Sequence, residues 1–142
     1  MSAGTAVLTA ATFVWLGMVL AISFLEAPLK FRAPDVTLRI GLGIGRIVFR
    51  ALNAAEAVLG VAILVAAVLD PPAARVIGAA GVTIGLLIAQ VVLVRPVLTR
   101  RTDAVLAGQE APQSHAHYAY IALELAKVVT LLVTGSLALS AS

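Results

Sequence analysis

Two glutamates and a lysine lie inside apolar runs of this 142-residue chain: Glu56, Glu124 and Lys127. Ionisable groups in hydrocarbon are expensive unless paired or hydrated, and they tend to face the interior of a helix bundle. Asn53 and Gln90 lie within the same kind of run, and Glu26, Arg46, Arg50 and Arg95 lie at the edges. These residue types support three chemistries. The first is a pocket for a ligand or ion, with carboxylates at Glu56 and Glu124 and the basic groups Lys127, Arg50 and Arg95 near its mouth. The second is a divalent metal site. His115 and His117 add imidazoles to the carboxylates of Glu26, Glu56 and Glu124, a mixture suited to zinc, iron or manganese. The third is structural: Glu124 and Lys127 are three residues apart and neutralise each other on one helix face, while Glu56 pairs with an arginine.

Helical spacing gathers these groups into two stripes. Arg46, Phe49, Asn53, Glu56 and Gly60 follow the three-and-four spacing of one face, as do His117, Tyr120, Glu124 and Lys127. The two stripes are expected to meet at one level, with Glu56 and Glu124 facing inward beside Arg46, Arg50 or Lys127. His115 and His117 precede the last apolar run and also suit interfacial anchors. Tyr118 and Tyr120 fit an interfacial aromatic belt, and Trp15, at mid-span, fits helix packing.

Other chemistries lack their residues. The chain has no cysteine, which excludes disulfides, thiolate metal sites and cysteine nucleophiles. The paired Glu-x-x-His motifs of di-iron bundles are absent. Gly41, Gly43 and Gly45 have neither the spacing nor the preceding strand of a phosphate-binding loop. They predict flexible or closely packed backbone instead. No hydrolase or nucleotidase motif is present.

The elements that position these groups follow from composition. The chain is 61% hydrophobic and 12% charged, with a mean hydropathy of +1.07. Soluble domains carry roughly 25% charged residues, so a water-soluble globule is excluded. Four apolar runs, residues 6–24, 51–69, 76–94 and 118–139, are each long enough as helices to cross a bilayer core of about 30 Å. The expectation is an all-α polytopic membrane protein, one domain over residues 1–142, with four transmembrane helices. No basic residue precedes the first run, which therefore reads as a retained span rather than a signal peptide.

Basic residues set the direction. Lys30, Arg32, Arg39, Arg46 and Arg50 lie between runs one and two, and Arg95, Arg100 and Arg101 between runs three and four; Arg75 alone lies between runs two and three. The positive-inside rule places the two basic segments in the cytoplasm and both termini outside, in a cell (plasma) membrane of the bacterial inner-membrane kind. The net charge of +3 thus reports topology rather than nucleic-acid binding. Asp70-Pro71-Pro72 predicts the outer turn. Residues 35–50 predict an interfacial helix running into helix 2, and residues 102–114 a linker.

A two-hairpin parallel repeat is also expected. Residues 1–74 laid on residues 69–142 match at 18 of 74 positions. The pairs include Gly17 with Gly85, Pro28 with Pro96, Arg32 with Arg100, Asp35 with Asp103, and Glu56 with Glu124. Gly17 and Gly85 are expected to let helices 1 and 3 approach closely.

Trp15 and Gly17, the segment Phe24-Leu25-Glu26-Ala27-Pro28-Leu29-Lys30-Phe31-Arg32, the segment Arg95-Pro96-Val97-Leu98-Thr99-Arg100-Arg101-Thr102, and a histidine before helix 4 carry a further signal. In these the chain resembles the four-helix membrane family that includes the animal transmembrane proteins associated with platinum-drug resistance. The resemblance implies a multi-pass membrane protein and transfers no catalytic residue. Taken together, the expected function is binding or passage of a small solute, ion or lipid headgroup at a polar site in the cytoplasmic third. An accessory or assembly subunit of a larger membrane complex and a metal-dependent membrane enzyme are the alternatives. The expected partners are the bilayer, such a ligand, and a homo-oligomer or larger complex, not nucleic acid.

Overall fold

The computed structural model describes residues 1–111 and 115–141. They form four long helical rods: α1 (Ala3–Lys30), α2 (Leu38–Leu69), α3 (Ala74–Leu106) and α4 (His115–Ser140). Each is long and apolar enough to cross a membrane, and no strand occurs among the described residues. Consecutive helices pack together and α4 closes the ring against α1, giving an up-down-up-down bundle with α1/α3 and α2/α4 across the diagonals. The outer surface is apolar, with Val58, Val68, Leu93 and Val129 all exposed. A soluble protein rarely shows so continuous an apolar surface, whereas a lipid-facing one requires it.

Local chemistry starts and stops the rods. The Ser2 hydroxyl accepts from the Thr5 N–H at 3.2 Å, and the Thr37 hydroxyl from the Ile40 N–H at 3.2 Å, each capping an otherwise unpaired donor. Asp70-Pro71-Pro72 separates α2 from α3. Asp35, with φ 68°, holds the left-handed conformation that reverses the chain before α2.

Two expected boundaries change. The interfacial helix is no separate element, because α2 starts at Leu38 and runs unbroken to Leu69. The linker starts later than expected: α3 stays helical to Leu106, and Pro112 to Ser114 lie outside the described residues. Helices of 32 and 33 residues extend about 48 Å, well beyond a hydrocarbon core of about 30 Å. Their extra turns carry Arg39, Arg46, Arg95, Arg100 and Arg101, which suit the headgroup layer.

Two rods contain a π turn, Leu20–Glu26 in α1 and Gln90–Val94 in α3. There the Ala27 N–H reaches the Ile22 carbonyl and the Arg95 N–H the Gln90 carbonyl, each five residues back. Pro28 and Pro96 follow directly. A proline ring crowds the carbonyl four residues upstream and offers it no N–H, so the widened turn accommodates both defects.

The core sits toward the Asp70 end. Leu8, Trp15, Ile63, Val76, Leu87 and Leu131 form its centre. Buried threonines join it without unpaired hydroxyls. Thr12 donates to the Leu8 carbonyl at 2.7 Å, Thr134 to the Thr130 carbonyl at 2.7 Å, and Thr83 to the Thr130 hydroxyl across α3 and α4 at 2.7 Å. Gly135 admits the Phe13 ring, which lies only 2.6 Å from where a Cβ would stand. By contrast Gly17 and Gly85 are exposed with no atom near such a Cβ. The expected close approach of helices 1 and 3 through these glycines is therefore corrected: α1 and α3 are diagonal partners, and both glycines face outward.

Candidate functional site

At mid-bundle all four helices contribute to one buried polar network. Lys127 on α4 ion-pairs with Glu56 across the diagonal on α2 and, at 2.7 Å, with Glu124 one turn earlier on α4. The Trp15 Nε1–H on α1 donates to Glu56 Oε2 at 2.6 Å. Ser23 Oγ on α1 donates to Glu124 Oε2 at 2.5 Å, and Gln90 Nε2 on α3 to Glu124 Oε1 at 3.2 Å. Glu56, Glu124 and Lys127 are between 0% and 1% exposed, so water does not screen them. Such a network is tolerable only when its members satisfy one another. Two acceptors are left over, Glu56 Oε1 and Gln90 Oε1, which have no hydrogen-bond partner. Two carboxylates against one ammonium give the network a formal charge of −1.

The π turns build half of this arrangement. Ser23 lies in the π turn of α1 and Gln90 opens the π turn of α3. Helices α1 and α3 both flank α4, so Glu124 is held from two sides by side chains of the two widened turns.

Below the network, toward Lys30 and Arg95, the four helices separate around a cavity of about 750 Å³. Glu124 and Ser23 form its inner end, and Lys30, Arg46, Arg50, Asn53, Arg95, Arg101 and His117 are among its polar lining. Arg95 lies against Tyr120 and Phe49, whose rings meet edge to face, its guanidinium carbon 4.7 and 5.1 Å from the two ring centroids. Lys30 lies 5.6 Å from the Phe49 centroid. Cation–π contacts of this kind hold a positive group in place without neutralising it. Arg46 ion-pairs with Asp103, tying α2 to the extension of α3. The glycine face of α2 is closely packed here: the Phe31 ring occupies the space of a Cβ on Gly41, and Lys30 Nζ lies 3.0 Å from that of Gly45.

The expected site residues are therefore divided between two places. Glu56, Glu124, Lys127 and Gln90 make the network, while Arg46, Arg50, Asn53, Arg95 and His117 line the cavity. Glu26 belongs to neither; it lies 3.9 Å from Lys30 on the same helix. Glu56 pairs with Lys127, not with an arginine. The residues of the metal reading are not brought together: among the described residues no three His, Asp or Glu side chains are gathered to hold an ion. The reason is geometric. Glu56 and Glu124 are engaged by Lys127, and His117 is two helical turns, about 10 Å, from Glu124 along α4, with His115 farther out and exposed.

Trp15 and Ser23 were not among the expected site residues. Trp15 reads as packing, and it packs, yet its N–H needs an acceptor in the interior. Ser23 falls at the edge of an apolar run, and Pro28 five residues later is the signal that the helix widens there.

Comparison of the chain with protein-family models, curated proteins and solved structures found no match.

Proposed function

We propose that this is a multi-pass membrane protein that binds a small ligand, a solute, ion or lipid headgroup, in the cavity at its basic end. The observation that carries this reading is the cavity itself. It is lined by all four helices and by several cations, and ends inward on a buried carboxylate that accepts from both widened turns and pairs with Lys127. Purely structural ion pairs need no such space. In this reading the basic end faces the cytoplasm of a plasma membrane, by the asymmetry of Lys and Arg between the loops. Single cysteines at Ser2, Ala73 and Thr102 test the direction: an impermeant thiol reagent on intact cells labels positions 2 and 73 and spares 102.

Native mass spectrometry of the protein released from mild detergent tests the binding. The wild type is expected to retain a small molecule that Thr99→Trp, which fills the cavity, loses. An empty wild-type cavity together with a stoichiometric companion protein would favour the accessory-subunit reading instead.

A further inference from the structure

Arg95 sits where an arginine without an acid is costly. Its Nε and Nη2 are buried with no hydrogen-bond partner, and no described carboxylate lies within ion-pair reach of it. The two neighbouring rings, which meet each other edge to face, contact the guanidinium and form no hydrogen bond with it. The charge around it is equally unbalanced. Five cations line the cavity: Lys30, Arg46, Arg50, Arg95 and Arg101. Against them stand Asp103 on Arg46, Glu26 at 3.9 Å from Lys30, and the formal charge of −1 on the Glu56–Lys127–Glu124 network. Two positive charges remain uncompensated.

A cation is repelled by this lining, and a neutral solute, even one whose oxygens accept from Arg95, leaves the positive charge uncancelled. A carboxylate cancels half of the excess. A phosphate monoester carries close to two negative charges at neutral pH and three strong acceptor oxygens, and a guanidinium meets it with parallel N–H donors. The rest of the wall is apolar. Phe24, Val91 and Ile121 line the cavity, and each is more than a third exposed.

We propose that the cavity binds a phosphate monoester, with Arg95 as the group that holds the phosphate, Lys30 and Arg50 as supporting charges, and the apolar wall accepting a hydrophobic tail. This rests on the ligand-binding reading above and names its ligand class. The phosphate can arrive on a lipid or on a soluble molecule, and the test separates the two.

The protein is reconstituted in phosphatidylcholine nanodiscs with and without phosphatidic acid, and retained lipid is read by native mass spectrometry. Glycerol 3-phosphate and inorganic phosphate are titrated calorimetrically into the phosphatidylcholine sample. The expected result is retention of phosphatidic acid over phosphatidylcholine, weakened about tenfold or more in Arg95→Gln and partly restored in Arg95→Lys. Arg50→Gln, at an exposed position, gives a smaller loss and serves if Arg95→Gln does not fold. Arginine-dependent binding of glycerol 3-phosphate without preference for phosphatidic acid upholds the phosphate site and assigns it a soluble ligand. Equal binding by wild type and the folded arginine variants, or no phosphate binding at all, overturns it. A neutral or cationic molecule lost on Thr99→Trp overturns the phosphate while keeping the binding reading; an empty wild-type cavity overturns both.

Discussion

The Asp70 end and the Arg95 end of the bundle are built from the same four helices and packed by opposite rules. At the Asp70 end, Leu8, Ile63, Val76, Leu131 and Ala138 are almost fully buried, and threonine hydroxyls bond back to their own helices. At the Arg95 end the helices part around about 750 Å³, and cations and rings join aliphatic side chains in the wall. Between them lies the Glu56–Lys127–Glu124 network. The contrast teaches where stability and chemistry reside. One end is closed by dispersion and fit, the other encloses a space with Lys30 and Arg95 over aromatic rings, and the network at the boundary links the four helices.

The largest expected effect comes from breaking the boundary. Lys127→Met leaves two carboxylates buried with no cation, and removing one partner of a buried pair costs about 3–5 kcal/mol. The melting temperature in detergent is expected to fall sharply, and adding Glu56→Gln and Glu124→Gln to the same chain is expected to recover much of the loss. A fall equal in the single and triple variants would count against the network as the link.

Next in size is a paired test of the two ends. Leu131→Ala at the closed end removes a side chain that is 1% exposed and is expected to cost about 3 kcal/mol through the void it leaves. Leu98→Ala on the cavity wall enlarges a space already present and is expected to cost under about 1 kcal/mol. Similar losses at both positions would erase the distinction between a closed and an open end.

The smallest effect refines the boundary. Trp15→Phe keeps most of the packing and removes the donor to Glu56 Oε2; the expected cost is about 1–3 kcal/mol. Ser23→Ala removes one of three donors to Glu124 and is expected to cost about 1 kcal/mol, seen as a small shift of the denaturation midpoint.

The four helices were legible because apolar runs of this length have few alternatives in a membrane. The inward stripe on α4 was legible too, since Tyr120, Glu124 and Lys127 are all buried and that helix is regular. Gln90 was legible as well, since Val76, Ala80, Thr83, Leu87 and Gln90 follow one another at three-and-four spacing and are all buried. Ser23 was not, because a serine at the edge of an apolar run carries no charge to mark it. Pro28 and Pro96 marked the places of the π turns in α1 and α3 without giving their form. Gly17 and Gly85 misled for a different reason: a small residue permits close approach on whichever face it lies, and the sequence does not say which neighbour is adjacent in the ring. The cavity was illegible as a space, because it depends on Arg95 lying against rings from two other helices. Those rings belong to α2 and α4, and their meeting is a property of the assembled bundle.

Trp15 is the only tryptophan in the chain, and its indole N–H is bonded to a carboxylate at the centre of the molecule. The protein therefore carries its own optical reporter. Any event that alters the charge or position of Glu56, whether a proton taken up from the cavity side or a ligand drawing on the lysine they share, changes the electric field at the one strongly fluorescent group. Its emission follows the ionic centre without any label being attached.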